Sequence, residues 1–191
     1  MDKIRISTPL EETDIRSLKA GDQVLISGKI YTARDAAHLR LMSCIQMGKA
    51  LPFDLEGQII YYAGPSPARP GRVIGACGPT TSYRMDQLTI PLLELGLKGM
   101  VGKGDRDTAV IEGIINHGAI YFCAIGGAGA LISSRIVSTT TVAYEDLGAE
   151  AIMCLEVEDF PVIVAIDSKG NDLYKTEPQK YRKEIDKGGV T

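Results

Sequence analysis

Between Gly75 and Asp86 the chain reads GACGPTTSYRMD, a stretch whose residue types are suited to holding an anion. Val73 and Ile74 lead into it, Gly78-Pro79 turns the backbone, and Thr80 and Thr81 stand where a helix is expected to begin. Either threonine can cap the first backbone N–H groups of that helix. Arg84 follows Thr80 by four residues, one turn along the same face. Hydroxyls, free amides, a positive helix end and a guanidinium then surround one small volume, which suits a carboxylate or a phosphate.

Two more cations, Arg34 and Lys103, fall at similar points, just after an expected strand and at a turn or helix start. Strand ends of this kind form the usual ligand crevice of α/β sheets. Burying such cations without carboxylate partners costs several kcal/mol per ion, and a small dianion would offset it. An arginine's donors also match two carboxylate oxygens at once. His38 lies one turn beyond Arg34 on the same face, placed either to carry a proton or to orient Arg34 or Asp35. His117 closes a helix beside Gly118, where its charge favours the helix dipole.

Other motifs carry less chemistry. Gly126-Gly127-Ala128-Gly129-Ala130 lacks the third glycine and the distant acidic residue of a dinucleotide loop, so a close backbone approach to substrate or another chain is expected. Gly102-Lys103-Gly104 lacks the spacing of a phosphate loop. Cys44, Cys77, Cys123 and Cys154 are widely separated, and only two histidines accompany them, a poor set for a metal held by this chain. Cys123 and Cys154 sit in apolar runs as small hydrophobes, and packing is also the expected role of Cys77.

The elements that must position these residues read as follows. Val24 to Ile30 is a strand, and Thr32 an N-cap with Asp35 three residues on. A helix then runs to about Met47, with Ala33, Ala37, Leu41, Cys44 and Ile45 at helical spacing. Ile59 to Ala63 is a strand ended by the proline-rich turn Gly64 to Gly71. Strand Val73 to Ala76 leads to a helix from Ser82 to Leu95, in which Pro91 bends the chain or starts a final segment. Gly99 to Val101 is a strand, Thr108 to Asn116 a helix and Ala119 to Ile125 another strand, a rhythm that predicts parallel α/β pairing. Ala151 to Val157 and Val162 to Ile166 are late strands, Ser168 to Asn171 a turn, and residues 177–191 a charged tail, frayed or docked elsewhere.

At 191 residues and net charge −3 the chain suits a single domain spanning 1–191 and excludes a basic nucleic-acid surface. The acidic N-terminus is no secretory signal, and the uncharged segment Gly118 to Ser134 is too short and too glycine-broken to span a membrane. A cytoplasmic protein is expected.

Four motifs in order, GKIYTARDAAH (Gly28 to His38), GACGPTTSYRMD, GMVGKGD (Gly99 to Asp105) and AIGGAGAL (Ala124 to Leu131), resemble the β subunit of iron–sulfur-dependent hydro-lyases of the class I fumarase and L-tartrate dehydratase type. TPLEETDIRSLKAGD near the start and LGAEAIMCLEVEDFPVIVAIDSKGNDLY near the end extend the likeness over nearly the whole chain. In single-chain members the same region forms the C-terminal domain.

The resemblance implies a single-domain β/β/α swivelling-type α/β fold with a mixed sheet and flanking helices. It implies an α subunit that holds a [4Fe–4S] cluster through its own cysteines, the open iron acting as a Lewis acid on the substrate hydroxyl and a carboxylate. Carried over, Arg34, Arg84 and Lys103 bind the substrate carboxylates, Thr80 transfers the proton, and Thr81 assists binding. A threonine hydroxyl is a weak base unless activated, so Lys103, Arg84 and the helix N-terminus must stabilise its alkoxide. His38 stands as the competing base or relay. Reversible hydration of fumarate to (S)-malate is the expected reaction, in a homo- or hetero-oligomer, with dehydration of L-tartrate to oxaloacetate and mesaconate hydration as alternatives. Two readings from other classes stand beside it: a non-catalytic dicarboxylate-binding module, and a phosphotransfer module using His38 as carrier.

Overall fold

The computed structural model describes residues 3–187. Its strands are β1 (Ile4–Ser7), β2 (Gln23–Thr32), β3 (Ile59–Tyr61), β4 (Gly99–Gly102), β5 (Ile120–Cys123), β6 (Ile136–Ala143) and β7 (Ile152–Ile166). The helices are α1 (Glu12–Ser17), α2 (Asp35–Gln46), α3 (Asp86–Glu94), α4 (Thr108–His117), α5 (Gly129–Ser133) and α6 (Leu173–Lys187), with 3-10 turns at Ser82–Met85 and Glu145–Glu150. None of the described helices is long and apolar enough to cross a membrane.

The sheet is mixed. β1 through β5 pair parallel, as the strand–helix rhythm predicts. β7 runs antiparallel to β5, to β6 and, along most of its length, to β2. The pairings β2–β3–β4–β5–β7–β2 therefore close on themselves. The two late strands expected from the sequence are a single one, because Asp159 takes a left-handed conformation (φ 49°) that kinks β7 without ending it.

Closure gives each central strand two buried faces. Alternate residues such as Ile59, Tyr61, Val101, Phe122, Leu155 and Phe160 form one apolar cluster within the circuit. Their neighbours Ile60, Met100 and Tyr121 join Leu41, Leu92 and Ile114 beneath α2, α3 and α4. Strands buried on both faces read as continuous apolar runs rather than alternations. Each fully buried large side chain contributes about 1.5–3 kcal/mol.

Several local expectations shift. Thr32 does not cap α2: it lies in β2 and accepts the Met153 N–H at 3.0 Å, while Arg34 holds the cap position. Val73 to Ala76 forms no strand, because its carbonyl at Ala76 accepts from Ser66 in the proline-rich loop at 3.0 Å. The helix predicted from Ser82 begins as a 3-10 turn and becomes α-helical at Asp86. Residues 177–187 of the predicted tail continue α6, and 188–191 lie outside the described residues.

Candidate functional site

Because β2 to β5 are parallel, their C-terminal ends share one edge, and every sequence-predicted site residue follows one of those ends or threads between them. Pro79–Ser82 runs between the extensions of β3 and β4. Pro79 bridges Ala63, Thr80 N–H donates to Tyr62 O at 2.6 Å, Thr81 bridges Lys103, and Ser82 N–H donates to Lys103 O at 2.9 Å. This strand-like pairing corrects two expectations. The amides of Thr80 and Ser82 are spent on the sheet, and Thr81 makes no side-chain cap bond. The threonines thus offer hydroxyls, not a helix cap, at the mouth of β4.

Lys103 is exposed and, among the described residues, forms no ion pair. Its Cδ is 3.8 Å from the point where a Cβ on Gly126 would lie, so it runs along the glycine-rich loop. That loop approaches this chain's own threonine segment: Cys77 N–H donates to Gly129 O at 3.2 Å, and a Cβ on Gly129 would sit 3.0 Å from Gly78 N. Burial pushes the Cys77 thiol up to about 12, which leaves it a packing residue.

Arg34 and Arg84 gather at the first turn of α2. Arg84 Nη2 lies 3.0 Å from Asp35 Oδ2, and Arg34 Nη2 donates to Glu150 Oε1 at 2.8 Å. Two of the three cations therefore have a carboxylate partner within this chain. The partner of Arg34 lies 116 residues away and that of Arg84 sits at the start of α2, distances that local patterning does not reveal.

His38 is fully buried against the edge of Tyr62, with Nδ1 3.1 Å from Arg34 O and Nε2 without a partner. The carbonyl can only accept, so Nδ1 carries the proton. Burial is the main cause that lowers the His38 pKa to about 4. A neutral, enclosed imidazole bonded to the Arg34 carbonyl supports the α2 start.

Beneath the edge lies a polar network that the sequence did not disclose. Buried Arg106 donates to Asp86 Oδ1 at 2.6 Å, Thr89 Oγ1 at 2.8 Å and Tyr62 Oη at 3.4 Å, and stacks near the rings of Tyr62 and Tyr121. Asp86 Oδ2 accepts from Asp107 N–H at 2.8 Å. Tyr121 Oη lies 2.8 Å from Ser82 Oγ and donates to Gly104 O at 2.8 Å. The network joins the start of α3 to the loop after β4, fixing the threonine segment and Lys103 relative to each other. Asp107 also caps α4, accepting from Val110 N–H at 2.8 Å.

Residues 1–177 match the family model described as the fumarase C-terminus. The chain belongs to the fumarase C-terminus family. This fumarase C-terminus chain is 37% identical to the putative L(+)-tartrate dehydratase subunit beta of Methanocaldococcus jannaschii, over 92% of its own length and 93% of that protein. It is 36% identical to the anaerobic class I fumarate hydratase of Escherichia coli and 34% identical to fumarate hydratase 2 of Leishmania major, covering about a third of each (32% and 31%). Among the described residues of the fumarase C-terminus chain, no three His, Cys, Asp or Glu side chains gather to hold a metal ion, and its four cysteines are free and dispersed. They do not fit an iron–sulfur cluster.

Proposed function

We propose that this chain is the β subunit of a hydro-lyase that interconverts fumarate and (S)-malate. The observation that carries this is the arrival of Arg34, Arg84, Lys103, Thr80 and Thr81 at one edge of the sheet. Arg34, Arg84 and Lys103 bind the two substrate carboxylates. Thr80 offers its hydroxyl for proton transfer at the carbon beside the leaving group, with Lys103 near enough along the bridged segment to favour the alkoxide. Thr81 assists binding, and His38 acts behind the site through Arg34.

A partner is required on charge grounds. Two of the three cations already face carboxylates of this chain, so a dianion needs more positive charge than this edge carries alone. The partner is an α subunit, and a [4Fe–4S] cluster belongs to it, because the described residues here offer no ligand set; no step is routed through it. The closed strand circuit favours the swivelling β/β/α type in a single domain. L-tartrate dehydration is the second reading, favoured by a relative of nearly the same length bearing that name. Substrates that differ by one hydroxyl or methyl are separated by only about 1–3 kcal/mol in an apolar pocket.

The test is anaerobic co-expression with the α subunit and assay with fumarate, L-tartrate and mesaconate. Turnover is expected only from the assembled complex. Hydratase activity of the β chain by itself contradicts the proposal.

A further inference from the structure

The loop between β6 and β7 delivers a carboxylate to the very corner assigned to an anion. Glu150 ends the turn Glu145–Glu150; one oxygen accepts from Arg34 Nη2 and the other from Ala36 N–H in the first turn of α2, both at 2.8 Å. The loop is fastened along α2 further on. Arg40 pairs with Asp146 and lies 5.1 Å from the centre of the Tyr144 ring, while Tyr144 Oη meets Cys44 Sγ at 3.6 Å. Burial disfavours the charge on Glu150, but the Ala36 amide, Arg34 and Arg84 outweigh it and hold the carboxyl below its ordinary value.

Gly64 closes the other side of the guanidinium. A Cβ there would fall 2.9 Å from Arg34 Nη1 and 3.0 Å from Cζ, so any larger residue would push the guanidinium out of this position. Arg34 Nε is buried without a partner. The guanidinium thus lies between the Gly64 backbone and one carboxylate oxygen; Nε is enclosed, and the Nη1 hydrogens and the second Nη2 hydrogen are the donors left for a ligand.

We propose that Glu150 is a positioning residue, which braces Arg34 and the start of α2 so that the remaining donors of that arginine meet a ligand carboxylate. This rests on Arg34 as a substrate-binding group. The opposite role, a competitor that the ligand must displace, makes the opposite change in affinity.

The experiment compares Glu150→Ala and Glu150→Gln with wild type in the chain assembled with its α subunit. Gln matches the size of Glu but presents an NH2 group to one of two donors, so it breaks the brace without a cavity. Both variants are expected to raise KM for malate about tenfold or more, with a smaller change in kcat. A lower KM identifies a competitor, and an unchanged KM a bystander; either overturns the proposal. The second readout is the 1H–15N signal of Arg34 Nε in the full-length β chain. It is expected to be protected from exchange in wild type and to lose that protection in Glu150→Ala; equal protection in both overturns the brace. Because this signal does not depend on turnover, a wild-type complex inactive on every dicarboxylate defeats the hydro-lyase reading and leaves Glu150 to be decided by the signal.

Discussion

Arg106 and Arg34 each face a carboxylate, yet they meet it in opposite ways. Arg106 is buried, with all three nitrogens engaged by Asp86, Thr89 and Tyr62 and aromatic rings beside the guanidinium. Arg34 is partly exposed, gives one nitrogen to Glu150 and keeps others unspent. A saturated buried pair can only hold structure, whereas a guanidinium fixed at one nitrogen can still bind. Loss of one partner should therefore damage folding at the first and affinity at the second.

The largest effect is expected at the buried pair. Asp86→Ala leaves Arg106 charged and enclosed, and should destabilise the fold by about 3–5 kcal/mol, read from urea unfolding. An apolar replacement of both partners that fills the same volume should recover much of this. If Asp86→Ala unfolds like wild type, the contrast between the two arginines fails.

Next comes Arg34→Ala, expected to lower kcat/KM of the complex by about 100-fold with a smaller loss of stability than at Arg106, because its pair keeps about a quarter of its surface in solvent (29% and 24%). His38 sharpens the comparison through pH. Its folded pKa, about 4, lies below the ordinary value, so the folded state binds fewer protons than the unfolded one between those limits. Stability is then complete above about pH 6.5 and falls as pH drops toward 4, by roughly 3 kcal/mol. His38→Leu should flatten that part of the stability curve; a wild-type slope in the variant would remove His38 as its source. The smallest effect is expected at the exposed Arg40–Asp146 pair, where Asp146→Ala should raise KM by less than about threefold.

What the sequence disclosed and what it hid follow from range. Segments with local chemistry were legible: the parallel strands around Ile59, Gly99 and Ile120, and the glycine turns after them. Arg34 and Lys103 were legible because each follows a parallel strand, β2 or β4, whereas the strand expected before Arg84 is absent. Closure by β7 was not, since pairing of Gln23 with Ile163 leaves no local trace and Asp159 resembles a strand end. Glu150 and Arg106 were missed for the same reason: their partners lie 116 and 20 residues away. The proposed helix cap at Thr80 and Thr81 failed because the backbone amides of that segment found sheet carbonyls first.

Arg84→Ala, measured for fumarate hydration in the anaerobically assembled complex, tests the shared anion pocket most directly. The residue lies at the rim on Asp35 and supports no core contact, so the expected result is a loss of about 100-fold or more in kcat/KM with an unchanged melting temperature. A near-wild-type rate would separate Arg84 from Arg34, Lys103 and the threonines, and contradict a single pocket at this edge.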